Sequence, residues 1–129
     1  MMKKYLFALP VLLTVSCTAS FEKNVYGEGN VTSVTVEVFA DTIASPSVQL
    51  VDVRTPQEFN EGNIQGSINI DVMTGHFGED AIKLLDKERP VAVYCRSGNR
   101  SKNAAKMLSM MGYDVIELDK GYKAWSEAH

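Results

Sequence analysis

Apolar and polar residues alternate along the chain in a pattern that predicts several short strands. Val34–Val38 alternates apolar and polar residues, which is typical of a half-buried strand. Val48–Val53 and Val91–Tyr94 are nearly continuous apolar runs, as in parallel strands that are covered on both faces. Two further strands are predicted within Ile64–Ile70 and Asp114–Leu118. The chain therefore carries five candidate strands.

Helical segments fill the intervals between these strands. The clearest helix start is at Thr55, a capping residue followed by Pro56 at the first helical position, with Glu58 completing a capping box. Strands that alternate with helices imply right-handed crossovers, so we expect an α/β fold with a largely parallel sheet covered by helices. The predicted helices are Phe39–Ala44, the segment from Pro56 to Gly62, Glu79–Lys87, Ser101–Met111 and Gly121–Ala128.

Composition limits the size of the fold and the class of partner. The 129 residues are 45% hydrophobic and 22% charged, which suits one globular domain behind a targeting segment. The formal net charge is −3 and no basic stripe occurs, so nucleic acid is not an expected partner. Two scattered histidines and one cysteine in the domain make a poor metal site, so we expect no metal.

The amino terminus has the organisation of a secretory signal. Lys3 and Lys4 precede the apolar stretch Tyr5–Val15, which is too short to span a bilayer as a helix. The following segment, Leu13–Cys17, resembles the lipobox of bacterial lipoproteins, although Thr14 stands where that motif usually has leucine. An ordinary cut after Ser16, with Cys17 free or removed, is the alternative.

These features predict three regions. Residues 1–16 are a signal peptide, residues 17–31 a lipid-anchored tether that starts at Cys17, and residues 32–129 the folded domain. We therefore expect an exported protein of the cell envelope or periplasm that is attached to a membrane through its lipid anchor.

The segment Cys95–Arg100 is the candidate reactive loop. It joins a buried strand to a helix, and in such sheets ligands bind beyond the carboxyl ends of the strands. A helix amino terminus and inward amides, permitted by Gly98, form a nest for an anion. Together with Arg96 and Arg100 they lower the pKa of a thiol. Cys95 is therefore a candidate nucleophile; the alternative is a buried structural cysteine.

Four sequence blocks, in order, resemble those of the rhodanese family, and the resemblance covers roughly Val34 to Trp125, essentially the whole folded domain. The departures are Asn63 and Gln65, where the family often has His and Pro, and Lys120, where it often has Gly. The blocks are Asp52–Pro56 with Glu58 and Phe59, Gly62–Ile70, the loop Cys95–Ser101, and Gly121–Trp125.

The resemblance implies a rhodanese-like fold, with a five-stranded, mainly parallel sheet flanked by helices on both faces. It also implies a sulfurtransferase that passes sulfane sulfur from thiosulfate or a persulfide, through a Cys95 persulfide, to a thiol or cyanide. A thioredoxin-like protein is a further expected partner, and no cofactor is needed. The residues expected to bind substrate and persulfide are Arg96, Ser97, Gly98, Asn99, Arg100 and Ser101.

Three charged residues near the loop are expected to be structural. Asp52, Arg54 and Glu58 are predicted to form an ion-pair cluster, because buried charges need partners.

Two other functions compete with sulfur transfer. The cell-cycle dual-specificity phosphatases have a similar loop, but it is longer than the four residues that separate Cys95 from Arg100 here, and a phosphate needs the larger ring. A phosphatase or arsenate reductase is therefore disfavoured. A sulfur carrier without turnover, or a thiol-redox partner of another envelope protein, shares the persulfide chemistry and stays open.

Overall fold

A sheet of five parallel strands runs through residues 28–129, the part of the chain that the computed structural model describes. The order across the sheet is β1-β5-β4-β2-β3, and every pairing is parallel. The predicted five-stranded parallel α/β architecture is confirmed. The strands are β1 (Val31–Val34), β2 (Gln49–Asp52), β3 (Ile68–Asn69), β4 (Val91–Tyr94) and β5 (Val115–Leu118).

Helices cover both faces of this sheet, as predicted. Apolar residues of α3 and α4 pack on one face, and those of α1 and α5 pack on the other. None of the helices within residues 28–129 is long and apolar enough to cross a membrane. The helices are α1 (Val36–Ile43), α2 (Pro56–Glu61), α3 (Phe77–Leu84), α4 (Asn99–Met110) and α5 (Gly121–Ala128), with a 3-10 turn at Val72–Thr74.

The alternation of side chains along β4 decides where the reactive cysteine lies. Val93 and Cys95 belong to the core beneath α3 and α4, whereas Ala92 and Tyr94 belong to the core beneath α1 and α5. Cys95 therefore sits just past the carboxyl end of a central strand, on the face covered by α4.

The prediction of a strand at Val34–Val38 is wrong. The strand ends at Val34, and Thr35 then caps α1 by accepting a hydrogen bond from the Val38 amide. Val36 and Phe39 recur at a helical spacing and pack against the second core, where Phe39 is fully buried. Over so short a segment, the same apolar residues fit the periodicity of a strand and that of a helix. Burial of the helical face favours the helix.

The last residues of the predicted tether belong to the fold. The Gly29 amide donates to the Ser109 carbonyl at 2.7 Å, and Val31 begins β1. The folded domain therefore begins before residue 32. The signal peptide, Cys17 and the remainder of the predicted tether, up to residue 27, lie outside the described residues.

Candidate active site

Cys95 is the first residue after β4, at the edge of the sheet where the strands end. Its side chain is 1% exposed and packs within the core beneath α4. α4 starts at Asn99, two residues earlier than predicted, with Gly98 as its cap. The loop between strand and helix is therefore short, and it turns back over the sulfur.

Two groups of the loop and helix contact the Cys95 sulfur directly. The Gly98 amide donates a hydrogen bond to Sγ at 3.1 Å. The Ser101 hydroxyl lies 3.4 Å from the same sulfur and is fully buried. Amides that converge on one atom form a nest for a negatively charged group. Gly98 and Ser101 are two of the residues that were predicted to bind substrate and persulfide, and both lie against the Cys95 sulfur.

Glycine is required at position 98 for two reasons. Its φ of +105° lies in the left-handed region, which residues with a side chain rarely adopt. A Cβ at this position would also lie 2.0 Å from the Asp119 carbonyl oxygen, so the backbones approach too closely for a side chain. A side chain at position 98 would therefore require the loop to shift, and with it the Gly98 amide that contacts the sulfur.

These contacts shift the pKa of the Cys95 thiol. Burial raises the pKa, because it penalises the thiolate. The Ser101 hydroxyl and then the amides of Ser101, Gly98 and Ser97 act in the opposite sense. The net effect is a pKa below the ordinary value of a thiol, in the predicted direction.

The two loop arginines have different environments. The Arg100 guanidinium donates to both carboxylate oxygens of Glu58, at 2.6 and 2.9 Å. This pair ties the start of α4 to α2, where Glu58 also completes the predicted capping box with Thr55. The hydrogen bond from Arg100 lowers the pKa of Glu58 to about 2. Arg96 is exposed and makes no such pair with any residue from 28 to 129.

The predicted cluster of three charges is divided into two separate ion pairs. Arg54 binds Asp52 through two nitrogens, with a shortest distance of 2.7 Å, whereas Glu58 binds Arg100. Asp52 and Arg54 are both buried, and Arg54 also donates to the Gly62 carbonyl at 2.6 Å. Arg54 and Glu58 also line one pocket beside the loop, so both pairs border the site.

The amino terminus of α5 anchors the other side of the loop. The Tyr122 amide donates to the Cys95 carbonyl at 2.7 Å, and the Lys123 amide donates to the Arg96 carbonyl at 3.0 Å. These bonds direct the loop carbonyls towards α5 and leave its amides free to face the sulfur. The terminal block Gly121–Trp125 therefore has a role at the site that its sequence did not indicate.

A pocket of about 340 Å³ opens beside the loop. Arg96 and Lys123 give it positive charge, and Glu58 and Glu61 give it negative charge. Within residues 28–129, no group of three or more histidines, cysteines or acidic residues is placed to hold a metal ion. The lining consists of Arg54, Glu58, Glu61, Gly62, Arg96, Tyr122, Lys123 and Ser126.

Sequence reasoning missed Glu117, which lies behind the reactive loop. The Ser101 hydroxyl donates to Glu117 Oε2 at 2.6 Å, and Glu117 is fully buried in β5. Its other oxygen accepts from the Ser33 hydroxyl at 2.8 Å and lies 3.2 Å from Lys102 Nζ. An acidic residue within the predicted strand Asp114–Leu118 was the available signal.

Comparison with known proteins agrees with this arrangement. Residues 35–128 match the rhodanese-like domain family, so the chain belongs to that family. A rhodanese-related protein from Thermoplasma volcanium has a similar structure, with a TM-score of 0.66 and 31% sequence identity. That match covers 75% of this chain and 92% of the other.

Two relatives carry the name thiosulfate sulfurtransferase GlpE. The protein from Shewanella oneidensis is 42% identical over 85 residues, which are 64% of this chain and 80% of the relative. The protein from Tolumonas auensis is 30% identical over 99 residues, which are 76% of this chain and 91% of the relative. The similarity therefore extends over most of each relative, and it supports rhodanese-type sulfurtransferase activity.

Proposed function

We propose that the protein transfers sulfane sulfur from a donor such as thiosulfate or a persulfide to a thiol or cyanide through a persulfide on Cys95. The observation that carries the proposal is the contact of the Gly98 amide with the Cys95 sulfur, 3.1 Å long, at the end of a central parallel strand. The names of the relatives support thiosulfate as a donor class.

The reaction proceeds in two displacements that need no oxidant. The Cys95 thiolate attacks the sulfane sulfur of thiosulfate; a new S–S bond forms, the old one breaks, and sulfite leaves with the electron pair. The acceptor then attacks the outer sulfur of the persulfide, and Cys95 leaves as a thiolate. Covalent catalysis thus replaces one difficult transfer with two easier ones.

The surroundings of Cys95 supply what each displacement requires. The lowered pKa raises the fraction of attacking thiolate at neutral pH. The loop amides, fixed before the reaction, stabilise negative charge on the thiolate and on the outer sulfur. Arg96 and Lys123 line the adjacent pocket and attract an anionic donor. The short loop suits a single sulfur atom better than a phosphate.

The amount of thiocyanate formed per protein distinguishes a sulfurtransferase from a sulfur carrier and from a phosphatase. We expect the purified protein to convert thiosulfate and cyanide into sulfite and thiocyanate over many cycles. A single equivalent of thiocyanate per protein would indicate a carrier without turnover, such as a partner of a thioredoxin-like protein. Hydrolysis of p-nitrophenyl phosphate without thiocyanate formation would indicate a phosphatase.

We also propose that the protein is exported and anchored to a membrane of the cell envelope through a lipid on Cys17. The support is the apolar segment that directly precedes Cys17. Cys17→Ala should move the protein from the membrane fraction to the soluble fraction after cell disruption. Cys95→Ala is the matched control and should stay in the membrane fraction. Retention of Cys17→Ala in membranes with an unprocessed mass would contradict lipidation.

A further inference from the structure

Three buried side chains form a continuous line from the reactive sulfur into the sheet. The Cys95 sulfur lies 3.4 Å from the Ser101 hydroxyl, which lies 2.6 Å from Glu117 Oε2. Ser101 and Glu117 are fully buried, and Cys95 nearly so. A thiol, a hydroxyl and a carboxylate in this order can pass protons from one end to the other without solvent.

The position of Glu117 is costly for a residue with a purely structural role. It lies in β5, which pairs with β1 on one side and β4 on the other. Burying a carboxylate in such a place requires compensating partners. Its neighbour on the same face of the strand, Val115, belongs to the apolar core that contains Cys95.

We propose that Ser101 and Glu117 form a proton relay that converts the Cys95 thiol into its thiolate. This inference rests on the proposed function and adds the route by which the nucleophile is activated. The S–H bond of Cys95 breaks, and its proton binds Ser101 Oγ. The hydroxyl proton of Ser101 moves at the same time to Glu117 Oε2. The electron pair stays on the sulfur, so Cys95 becomes an anion and Glu117 becomes neutral.

The single proton of the Ser101 hydroxyl couples the protonation of Cys95 to that of Glu117. When Cys95 is a thiol, the hydroxyl donates to the Glu117 carboxylate and accepts from the sulfur. When Cys95 is a thiolate, the hydroxyl donates to the sulfur and accepts from protonated Glu117. The hydrogen bonds therefore reverse together, and no buried polar atom loses its partner in either state.

The charges around Glu117 set the balance between these two states. Ser33 donates to Oε1 from β1, and Lys102 lies 3.2 Å from the same oxygen. Lys102 is also shared with Asp119, at 2.8 Å. Arg100 is bound to Glu58 and does not contact Glu117. Both contacts stabilise negative charge on Glu117 Oε1, so they favour the state in which Cys95 is a thiol over the state in which it is a thiolate.

The relay changes how the reactivity of Cys95 depends on pH. The two states contain the same number of protons, so their ratio does not change with pH. The thiolate fraction should therefore reach a plateau in the acidic range, where a thiol that loses its proton to water would lose about tenfold in reactivity for each pH unit. The plateau ends only when the pair binds a second proton.

The test is the rate of Cys95 alkylation by iodoacetamide, followed by mass spectrometry on the full chain across the acidic and neutral range. Wild-type protein should show the plateau. Glu117→Gln still accepts the hydrogen bond from Ser101 but cannot take up its proton, so its rate should keep falling and become at least about tenfold slower at the acid end. Lys102→Met should raise the plateau, because loss of the ammonium favours protonated Glu117.

Two outcomes would overturn the relay. Identical pH profiles for wild-type protein and Glu117→Gln would reduce Glu117 to a structural role. An unchanged plateau in Lys102→Met would also reduce Glu117 to a structural role. The Lys102 side chain is half-exposed and can be replaced without disturbing the core, so this variant tests the relay even if Glu117→Gln fails to fold. Alkylation needs no sulfur donor, so thiocyanate formation, measured separately, shows whether the proposed function itself fails.

Discussion

Replacing Cys95 with serine is expected to reduce sulfur transfer by at least about a thousandfold, because a serine oxygen does not hold a sulfane sulfur. The fold should survive, since the Gly98 amide and Ser101 can bond a hydroxyl in place of the sulfur. Thiocyanate formation measures the transfer, and the thermal unfolding transition by circular dichroism measures the fold.

Arg96→Ala is the comparison variant for this experiment. Arg96 is exposed and lines the pocket, so its loss should raise KM for thiosulfate by up to about tenfold and leave the unfolding transition unchanged. Residual transfer by Cys95→Ser at a rate near that of Arg96→Ala would contradict the assignment of Cys95 as the sulfur carrier.

Gly98→Ala is expected to lower sulfur transfer by about a hundredfold, because the loop amide that faces the sulfur would be displaced. The new Cβ would meet the Asp119 carbonyl oxygen at 2.0 Å, and φ is +105°. We therefore also expect a loss of about 2 kcal/mol in the free energy of unfolding. The pKa of Cys95 should rise towards that of a free thiol, which the pH dependence of its alkylation would show.

Gly75→Ala is the control for Gly98→Ala, because it introduces the strain of a positive φ without displacing the amide that faces the Cys95 sulfur. Gly75 has a φ of +85°, but nothing lies within 4 Å of the position of its Cβ. This variant should lose about 1 kcal/mol of stability and retain full transfer activity. Equal losses of activity in both variants would show that global destabilisation, and not the amide nest, accounts for the effect.

The sequence was sufficient to predict the reactive loop, because its determinants are local. A buried apolar run that leads into Cys95, followed by Gly98 and a helical pattern, defines the strand, the turn and the presence of the helix within a dozen residues, although the helix begins at Asn99 and not at Ser101. The same holds for the capping box of Thr55 and Glu58, which the structure contains as predicted.

The partners of the charged residues could not be predicted, because they depend on contacts between distant parts of the chain. Glu58 was expected beside Asp52 and Arg54, yet the fold brings it to Arg100, 42 positions further along. Glu117 reaches Ser101 only because β5 lies next to β4 in the sheet. The alternating pattern at Val34–Val38 failed for a related reason, since burial of Phe39 against the sheet favours the helix.

The most direct measurement is mass spectrometry of the intact protein after exposure to thiosulfate, followed by localisation of any added sulfur. We expect one added sulfur atom on Cys95, its removal by cyanide, and no addition in Cys95→Ser. An unchanged mass of the wild-type protein, or sulfur added at Cys17 alone, would contradict a persulfide on Cys95 as the basis of function.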